Sequence, residues 1–163
     1  MILRNADKKD LSIILDIMNE AILNTTAIYD YKSRDESYVN TWFEKKQVEK
    51  FPVIVCEINN KAVGYGSFGP FRAWEAYKFS VEHSIYVHKD YRGKGIGKEL
   101  LQALINAAKA GGYHTMIGGI DASNQKSCDF HAKFGFEEVG RIKDAGYKFE
   151  KWLDLVFMQL ILS

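Results

Sequence analysis

The sequence is poor in cysteine, and this excludes several classes of protein. It has two cysteines among 163 residues, Cys56 and Cys128, and they do not form a C-x-x-C pair. Such sparse, widely separated cysteines predict reduced thiols in a cytoplasmic protein rather than a disulfide framework or a zinc site. No other cluster of metal-ligating residues stands out, so we expect no metal.

Net charge and long apolar runs are also lacking. The 22 Lys and Arg residues nearly balance the 21 Asp and Glu residues, for a net charge of +1. This balance does not favour nucleic acid or an anionic membrane as a partner. No apolar run is long enough for a membrane span, and the N-terminus lacks the pattern of a signal peptide. Without linkers or repeats, residues 1–163 are expected to form a single domain.

The most informative stretch that is present runs from Ser80 to Leu104. It starts as a strand, crosses a polar turn with three glycines, and continues as an amphipathic helix. Glycines let the backbone approach an anion, and the first N–H groups of a helix have no partner of their own. The stretch therefore predicts a phosphate site. The glycines are Gly93, Gly95 and Gly97, and cationic side chains beside them are Arg92, Lys94 and Lys98.

The same glycines are also compatible with a plain turn, and they resemble two nucleotide-binding motifs in part. The P-loop pattern fails because Gly97-Lys98 is followed by Glu99 rather than Ser or Thr. The dinucleotide pattern G-x-G-x-x-G is not matched by the G-x-G-x-G spacing. Asp121 nevertheless lies where a ribose-binding carboxylate is expected, so a nucleotide site stays open as an alternative.

The rest of the chain predicts the order β-α-α-β-β-β-α-β-α-β-β, which is a mixed α/β sandwich. Asn59-Asn60 predicts a tight turn between two strands, and Gly69-Pro70 is expected to interrupt the second of them. The last two strands are expected at Phe136–Ile142 and Leu153–Leu162. Residues Lys143–Trp152 are expected to join them as a connector.

The glycine turn also resembles a known family. Arg92–Gly97 matches the [QR]-x-x-G-x-[GA] signature of the GNAT superfamily of N-acetyltransferases, and the whole chain resembles its phosphinothricin and methionine sulfoximine acetyltransferase branch. Further stretches that carry the resemblance are Val81–Val87, His114–Ile117, His131 with Gly135-Phe136, Gly146–Phe149 and Trp152–Asp154.

The resemblance implies a mostly antiparallel mixed sheet with splayed middle strands, flanked by helices. It also implies acetyl-CoA as cosubstrate, a homodimer, and a role in antibiotic or herbicide detoxification. For the cofactor, it implies pantetheine contacts from the backbone of Ile85, Tyr86 and Val87 and from Asn124, which can also cap a helix. The pyrophosphate is assigned to Arg92, Gly93, Lys94, Gly95, Ile96 and Gly97, with Lys98 beside it.

For the chemistry, the resemblance makes Glu82 the general base that deprotonates the attacking amine. It makes His131 the group that donates a hydrogen bond or proton to the leaving thiolate. On a regular strand His83 faces away from Glu82, so a structural role is expected for it. Cys128 precedes His131 by three residues, but a small buried apolar role explains it better than nucleophilic catalysis.

For the acceptor, the resemblance suggests a small amino acid held among aromatic and charged side chains. Arg72 or Lys148 is expected to meet its carboxylate. The candidate acceptor-binding residues are Tyr29, Arg72, Trp74, Glu75, Tyr77 and Lys148. The sequence departs from the herbicide-resistance enzymes at His83-Ser84 and around Trp74, so methionine sulfoximine or sulfone stands beside phosphinothricin as the expected acceptor. The alternatives are a peptide or protein N-terminal acetyltransferase and a non-catalytic acyl-CoA or nucleotide sensor.

Overall fold

Seven strands form one mixed sheet in the order β1-β2-β3-β4-β5-β7-β6. The structure is a computed structural model that describes residues 1–163. The strands are β1 (Ile2–Asn5), β2 (Val53–Ile58), β3 (Lys61–Pro70), β4 (Ser80–Val87), β5 (Thr115–Asp121), β6 (Glu137–Lys148) and β7 (Lys151–Ile161). The helices are α1 (Leu11–Asn24), α2 (Glu36–Val48), α3 (Ile96–Ala110) and α4 (Gln125–Ala132). This order confirms the predicted mixed α/β fold.

The two faces of the sheet are covered by different helices. Successive residues of β2 alternate between faces, so Val53 and Val55 pack with α1 and α2, while Ile54 and Cys56 pack with α3. The amphipathic helices α1, of 14 residues, and α3, of 15 residues, thus bury their apolar faces on opposite sides of the sheet. None of the four helices combines the length and apolar character that a membrane crossing requires.

Glycines in β3 bring α3 close to the sheet. A Cβ atom at Gly66 would lie 2.9 Å from Leu104 Cδ1, and one at Gly64 would lie 3.1 Å from Ile96 Cγ2. Ile96 and Leu104 are fully buried, and burying each such side chain contributes about 1.5–3 kcal/mol. The close packing fixes the start of α3 relative to the central strands, which matters because the glycine turn leads into that helix.

The expected connector between the last two strands is wrong. Residues 143–148 continue β6, and a two-residue turn at Phe149 and Glu150 joins it directly to β7. Both turn residues have positive φ angles, 54° and 60°, which is the geometry of a tight hairpin turn of the primed type. The expected interruption of β3 is also wrong, because Pro70 still pairs with Val81 at the end of the ladder.

Candidate active site

The central strands part along half of their length. β4 and β5 run parallel and pair only where Ser80–Glu82 meets Thr115–Ile117. β3 stays paired with β4 as far as Val87, and β7 stays paired with β5 as far as Asp121. The backbone groups of β4 beyond Glu82 therefore have no partner on the β5 side, and such groups are available to an extended ligand.

A cavity of about 100 Å³ lies in this gap. It is lined by Ala27, His83, Ser84, Ile85, Tyr86, Gly118, Gly119, Ile120, Asp121, Asn124, Ser127 and His131. The gap thus brings together two of the predicted pantetheine residues of β4 with Asn124 and His131 of α4. The Asn124 side chain also accepts a hydrogen bond from the Ser127 amide at 3.1 Å, so it caps α4 at the edge of the gap.

The glycine turn leaves open space at the start of α3. Gly93 and Gly95 have φ angles of 77° and 80°, and no heavy atom lies within 4 Å of a Cβ placed on either. No side chain caps α3, and the first backbone bond at this end runs from the Glu99 amide to the Gly95 carbonyl at 3.2 Å. The amides before Glu99 therefore have no helical partner and are available to an anion.

The Arg92 guanidinium already makes hydrogen bonds within the protein. Its Nη2 atom lies 2.6 Å from Glu20 Oε2, and its Nε donates to the Val87 carbonyl at 3.3 Å. Half of the Arg92 side chain is exposed, and an ion pair in such a position contributes little stability. An incoming pyrophosphate therefore competes with one carboxylate for this guanidinium.

Glu82 lies where β4 and β5 separate. It lines two cavities on the α1–α2 side of the sheet, one of about 200 Å³ and one of about 450 Å³. Burial raises the pKa of Glu82, and the charge of Arg72 partly opposes that effect. A carboxylate with raised basicity beside the gap is suited to taking a proton from an ammonium group.

His131 and His83 form a buried pair at the floor of the gap. His131 Nδ1 lies 2.7 Å from the Ser127 carbonyl, and the Nε2 atoms of the two rings lie 3.1 Å apart. Because a carbonyl only accepts, His131 Nδ1 carries the proton, and in the neutral pair His83 Nε2 donates to His131 Nε2. Burial lowers the pKa of both rings, that of His83 to about 3. His131 in the neutral pair thus has no free N–H for a leaving thiolate.

Of the six predicted acceptor-binding residues, the structure brings two to the cavities at Glu82. Tyr29 and Arg72 line the 450 Å³ cavity together with Thr26, Phe71, Phe157 and Asp121. Burial and then the charge of Asp121 raise the pKa of Tyr29 to about 12, which keeps the phenol protonated. Trp74, Glu75 and Tyr77 lie in the exposed segment after β3 and line neither cavity, and Trp74 is 70% exposed.

The role predicted for Lys148 is wrong in this structure. The side chain is 4% exposed, and its Nζ donates to three backbone carbonyls: Ile22 at 2.5 Å, Thr25 at 2.6 Å and Ile28 at 2.8 Å. All three ammonium protons are used, so none is free for a substrate carboxylate. Lys148 instead holds the last turn of α1 and the segment that follows it, and residues of both line the cavities.

Sequence reasoning misses the roles of two polar residues at the gap. The spacing on α4 does not indicate that His83 is the partner of His131, because the fold determines that contact. The sequence suggests Asp121 only as a ribose ligand, yet it is buried, accepts from the hydroxyls of Thr26 and Ser123, and faces both the gap and the larger cavity. The local signal for Asp121 is its place at the end of an apolar strand.

Comparison with known proteins agrees with this geometry. Residues 15–136 match the family described as the acetyltransferase (GNAT) family. The whole chain is 41% identical to the L-methionine sulfoximine/L-methionine sulfone acetyltransferase of Salmonella typhimurium, of which the alignment covers 95%.

Two solved structures are similar over nearly the whole chain. A phosphinothricin acetyltransferase from Sinorhizobium meliloti, solved in complex with acetyl-CoA, has a TM-score of 0.96 and 36% identity, covering 99% of this chain and 88% of that one. A ribosomal-protein-alanine N-acetyltransferase from Brucella melitensis has a TM-score of 0.97 and 43% identity, covering 99% of each chain.

Proposed function

Because the chain belongs to the GNAT family and is an acetyl-CoA-dependent N-acetyltransferase, we propose that it acetylates the free amino group of a small amino acid, with Glu82 as general base. The acceptor class is of the methionine sulfoximine, methionine sulfone or phosphinothricin type. The names of two relatives support this class. The observation that carries the proposal is the position of Glu82, which lies where the gap between the strands meets two cavities.

The residues of this chain fit acetyl-CoA at the gap and the glycine turn. In this proposal the free amides at the start of α3 hold the pyrophosphate, and Lys94 and Lys98, which flank them in sequence, add positive charge. The unpaired edge of β4 at Ile85, Tyr86 and Val87 offers hydrogen bonds to the pantetheine amides, with Asn124 opposite. This arrangement directs the thioester along β4 toward Glu82.

The reaction proceeds by direct attack. Glu82 takes a proton from the acceptor ammonium, and the neutral amine attacks the thioester carbonyl carbon. The C–N bond forms, the C–S bond breaks, the nitrogen releases its second proton to water, and CoA leaves as the thiolate, which takes a proton from water. His131 borders the gap and orients its wall through the contacts with Ser127 and His83. Holding the two reactants together supplies much of the acceleration.

Arg72 is the cation that lines the larger cavity, and we assign the acceptor carboxylate to it. It lowers the pKa of Glu82 through its charge and has no acidic hydrogen-bond partner. A carboxylate at Arg72 places the α-amino group of the same molecule near Glu82.

A panel of free amino acids tests the proposed function. Release of CoA thiol is measured with the wild-type enzyme, acetyl-CoA, and either methionine sulfone, methionine sulfoximine, phosphinothricin or the twenty standard amino acids. We expect turnover with the sulfone and sulfoximine. Tight acetyl-CoA binding without turnover of any small amine would contradict the proposal.

A second candidate is an acetyltransferase that acts on a protein or peptide N-terminus. The Brucella neighbour named for ribosomal-protein alanine favours it. The aromatic walls of the two cavities favour a small acceptor instead, because Trp42, Tyr65 and Tyr86 line the inner one, which has a volume of only about 200 Å³. Including alanine-starting peptides in the same panel separates the two candidates. The sensor alternative does not apply to an enzyme.

We also propose that the enzyme is a homodimer of the cytoplasm that detoxifies amino-acid analogues. The turn end of the β6–β7 hairpin exposes Tyr147, Phe149 and Trp152, which a second copy is suited to cover. The free thiols of Cys56 and Cys128 fit a reducing compartment. Light scattering at micromolar concentration tests the dimer, and a Trp152→Glu variant is expected to shift it to monomer.

A further inference from the structure

Two cavities meet at Glu82, and most of the residues that line the inner one do not line the outer one. The larger, outer cavity contains Arg72 and Tyr29. The inner cavity, of about 200 Å³, lies between the sheet and helices α1 and α2. Both cavities include Ile28, Glu82, Ser84 and Tyr86 in their walls, so a molecule whose amine lies at Glu82 can extend into either.

The inner cavity contains a buried hydroxyl without a partner. Tyr65 is 2% exposed, and its Oη has no hydrogen-bond partner in the protein. The Tyr65 ring packs edge-on against Trp42, with 6.0 Å between the ring centroids. It also packs against the tilted ring of Tyr86, with 5.4 Å between the centroids. An unpaired buried hydroxyl costs stability, so its retention in a rigid position points to a group that accepts from it.

Two cations line the same cavity. Lys46 donates one hydrogen bond to the Phe68 carbonyl at 2.8 Å, which leaves two of its protons unassigned. Arg34 pairs with Asp30 through Nη2 at 2.6 Å, but its buried Nε has no partner. Burial lowers the pKa of Lys46 to about 8, as expected for an ammonium group that lacks a carboxylate partner.

Most of the remaining wall is apolar or aromatic, and Ser67 and Ser84 also line it. Met18, Ile22, Ile28 and Trp42 line the cavity together with Glu82 and the polar groups. An occupant that matches these walls has an apolar stem next to the amine and oxygen acceptors at its far end.

We propose that the inner cavity receives the side chain of the acceptor, and that the Tyr65 hydroxyl donates a hydrogen bond to an oxygen at its tip. The ligand class is an amino acid whose side chain ends in a sulfone, sulfoximine or phosphinate, with Lys46 and Arg34 adding positive charge at that end. The inference rests on the proposed function, and it makes Tyr65 a residue that determines specificity.

The test compares an acceptor that has oxygens at the tip of its side chain with one that lacks them. Both are measured with the wild-type enzyme and with the Tyr65→Phe variant. Methionine sulfone is the acceptor with oxygens, and methionine is the matched molecule without them, used as acceptor or as competitive inhibitor. We expect Tyr65→Phe to lower kcat/KM for the sulfone about three- to tenfold, because one hydrogen bond is lost. The KM or Ki of methionine is expected to stay unchanged.

Tyr113→Phe is the matched control. Tyr113 lies on the α3 side of the sheet against Phe51 and Phe68, outside both cavities. Circular dichroism and Tm of both variants establish that they fold. If Tyr65→Phe does not fold, Lys46→Met provides the same comparison, with the same selective loss for the sulfone expected.

An equal effect on sulfone and methionine would overturn the inference while leaving the proposed function intact. An unchanged kcat/KM for the sulfone would overturn it too. Absence of turnover with every amino acid in the wild-type enzyme would instead contradict the proposed function itself.

Discussion

His131 and His83 approach within 3.1 Å through their Nε2 atoms, although 48 residues separate them in sequence. Gly118 makes room for this contact, because a Cβ at that position would lie 3.1 Å from His83 Nε2 and 3.6 Å from His131 Nε2. The contact uses the ring nitrogen of His131 that a proton donor to the thiolate would need. We therefore assign His131 an orienting role.

His131→Gln tests that role. Loss of a general acid lowers rates by about 10²- to 10⁴-fold and removes the alkaline limb of the pH–rate profile. Because the neutral His131 has no free N–H, we expect a much smaller fall in kcat and an unchanged alkaline limb. Steady-state kinetics from about pH 4 to 10 provide the measurement, because burial lowers the pKa of His131 and a limb from this ring would begin below about pH 6.5. Loss of the alkaline limb would show that His131 does supply the proton.

The histidine pair also makes stability depend on pH. The pKa of His83 is near 3 in the folded protein and near 6.5 when unfolded, so the unfolded chain binds the extra proton between these values. The free energy of unfolding is thus expected to fall as the pH is lowered from about 6.5 toward 3. His83→Gln keeps a donor for His131 and should flatten this slope in urea titrations. Parallel slopes for the two proteins would contradict the assignment.

Lys148→Met removes three hydrogen bonds to the last turn of α1 and the segment that follows it. The variant leaves the carbonyls of Ile22, Thr25 and Ile28 without this donor, and each unsatisfied buried group costs about 1–3 kcal/mol. We expect a loss of unfolding free energy on the order of 3 kcal/mol and a higher KM for every acceptor alike. A selective loss for acceptors that carry a carboxylate, with normal stability, would restore a direct role in binding.

Gly95→Ala tests the phosphate site. Gly95 has a φ angle of 80° with empty space beside it, so an added methyl group strains the turn and projects where a phosphate must approach the amides. We expect at least a tenfold loss of acetyl-CoA affinity by calorimetry, about 1.4 kcal/mol. Gly140→Ala, in open space without a positive φ, is the control. Equal affinities in the two variants would remove the turn from cofactor binding.

Local sequence predicts those features that local interactions determine. The glycine turn and α3 follow from neighbouring residues, and the Asn59-Asn60 turn is recognisable because Asn tolerates its φ angles of 51° and 61°. The turn at Phe149-Glu150 has similar angles without such residues. Pairing of β6 with β7 up to Lys148 and Lys151 imposes it, so no local pattern indicates it.

The sequence predicts the parts of the site that lie on a single strand or helix. It misses the parts that form only when separate elements pack together. Glu82 and the backbone of Ile85–Val87 lie on one strand, and the family resemblance that its sequence carries predicts their roles. Lys148 donates hydrogen bonds to carbonyls about 120 residues earlier in the chain, and local sequence does not indicate such long-range contacts. The pairing of His83 with His131 and the inner cavity at Tyr65 likewise require the packing of α1, α2 and α4 on the sheet, which spacing along the chain does not specify.

The most direct test of Glu82 as the general base is the pH–rate profile of Glu82→Gln, measured together with acetyl-CoA affinity. Because burial raises the pKa of Glu82 above the ordinary 4.5, the wild-type rate should rise with pH through a correspondingly raised apparent pKa. We predict that Glu82→Gln lowers kcat by about 10²- to 10⁴-fold and removes the rise of the rate with pH. The variant is expected to bind acetyl-CoA normally. A variant with wild-type turnover across the pH range would contradict this role.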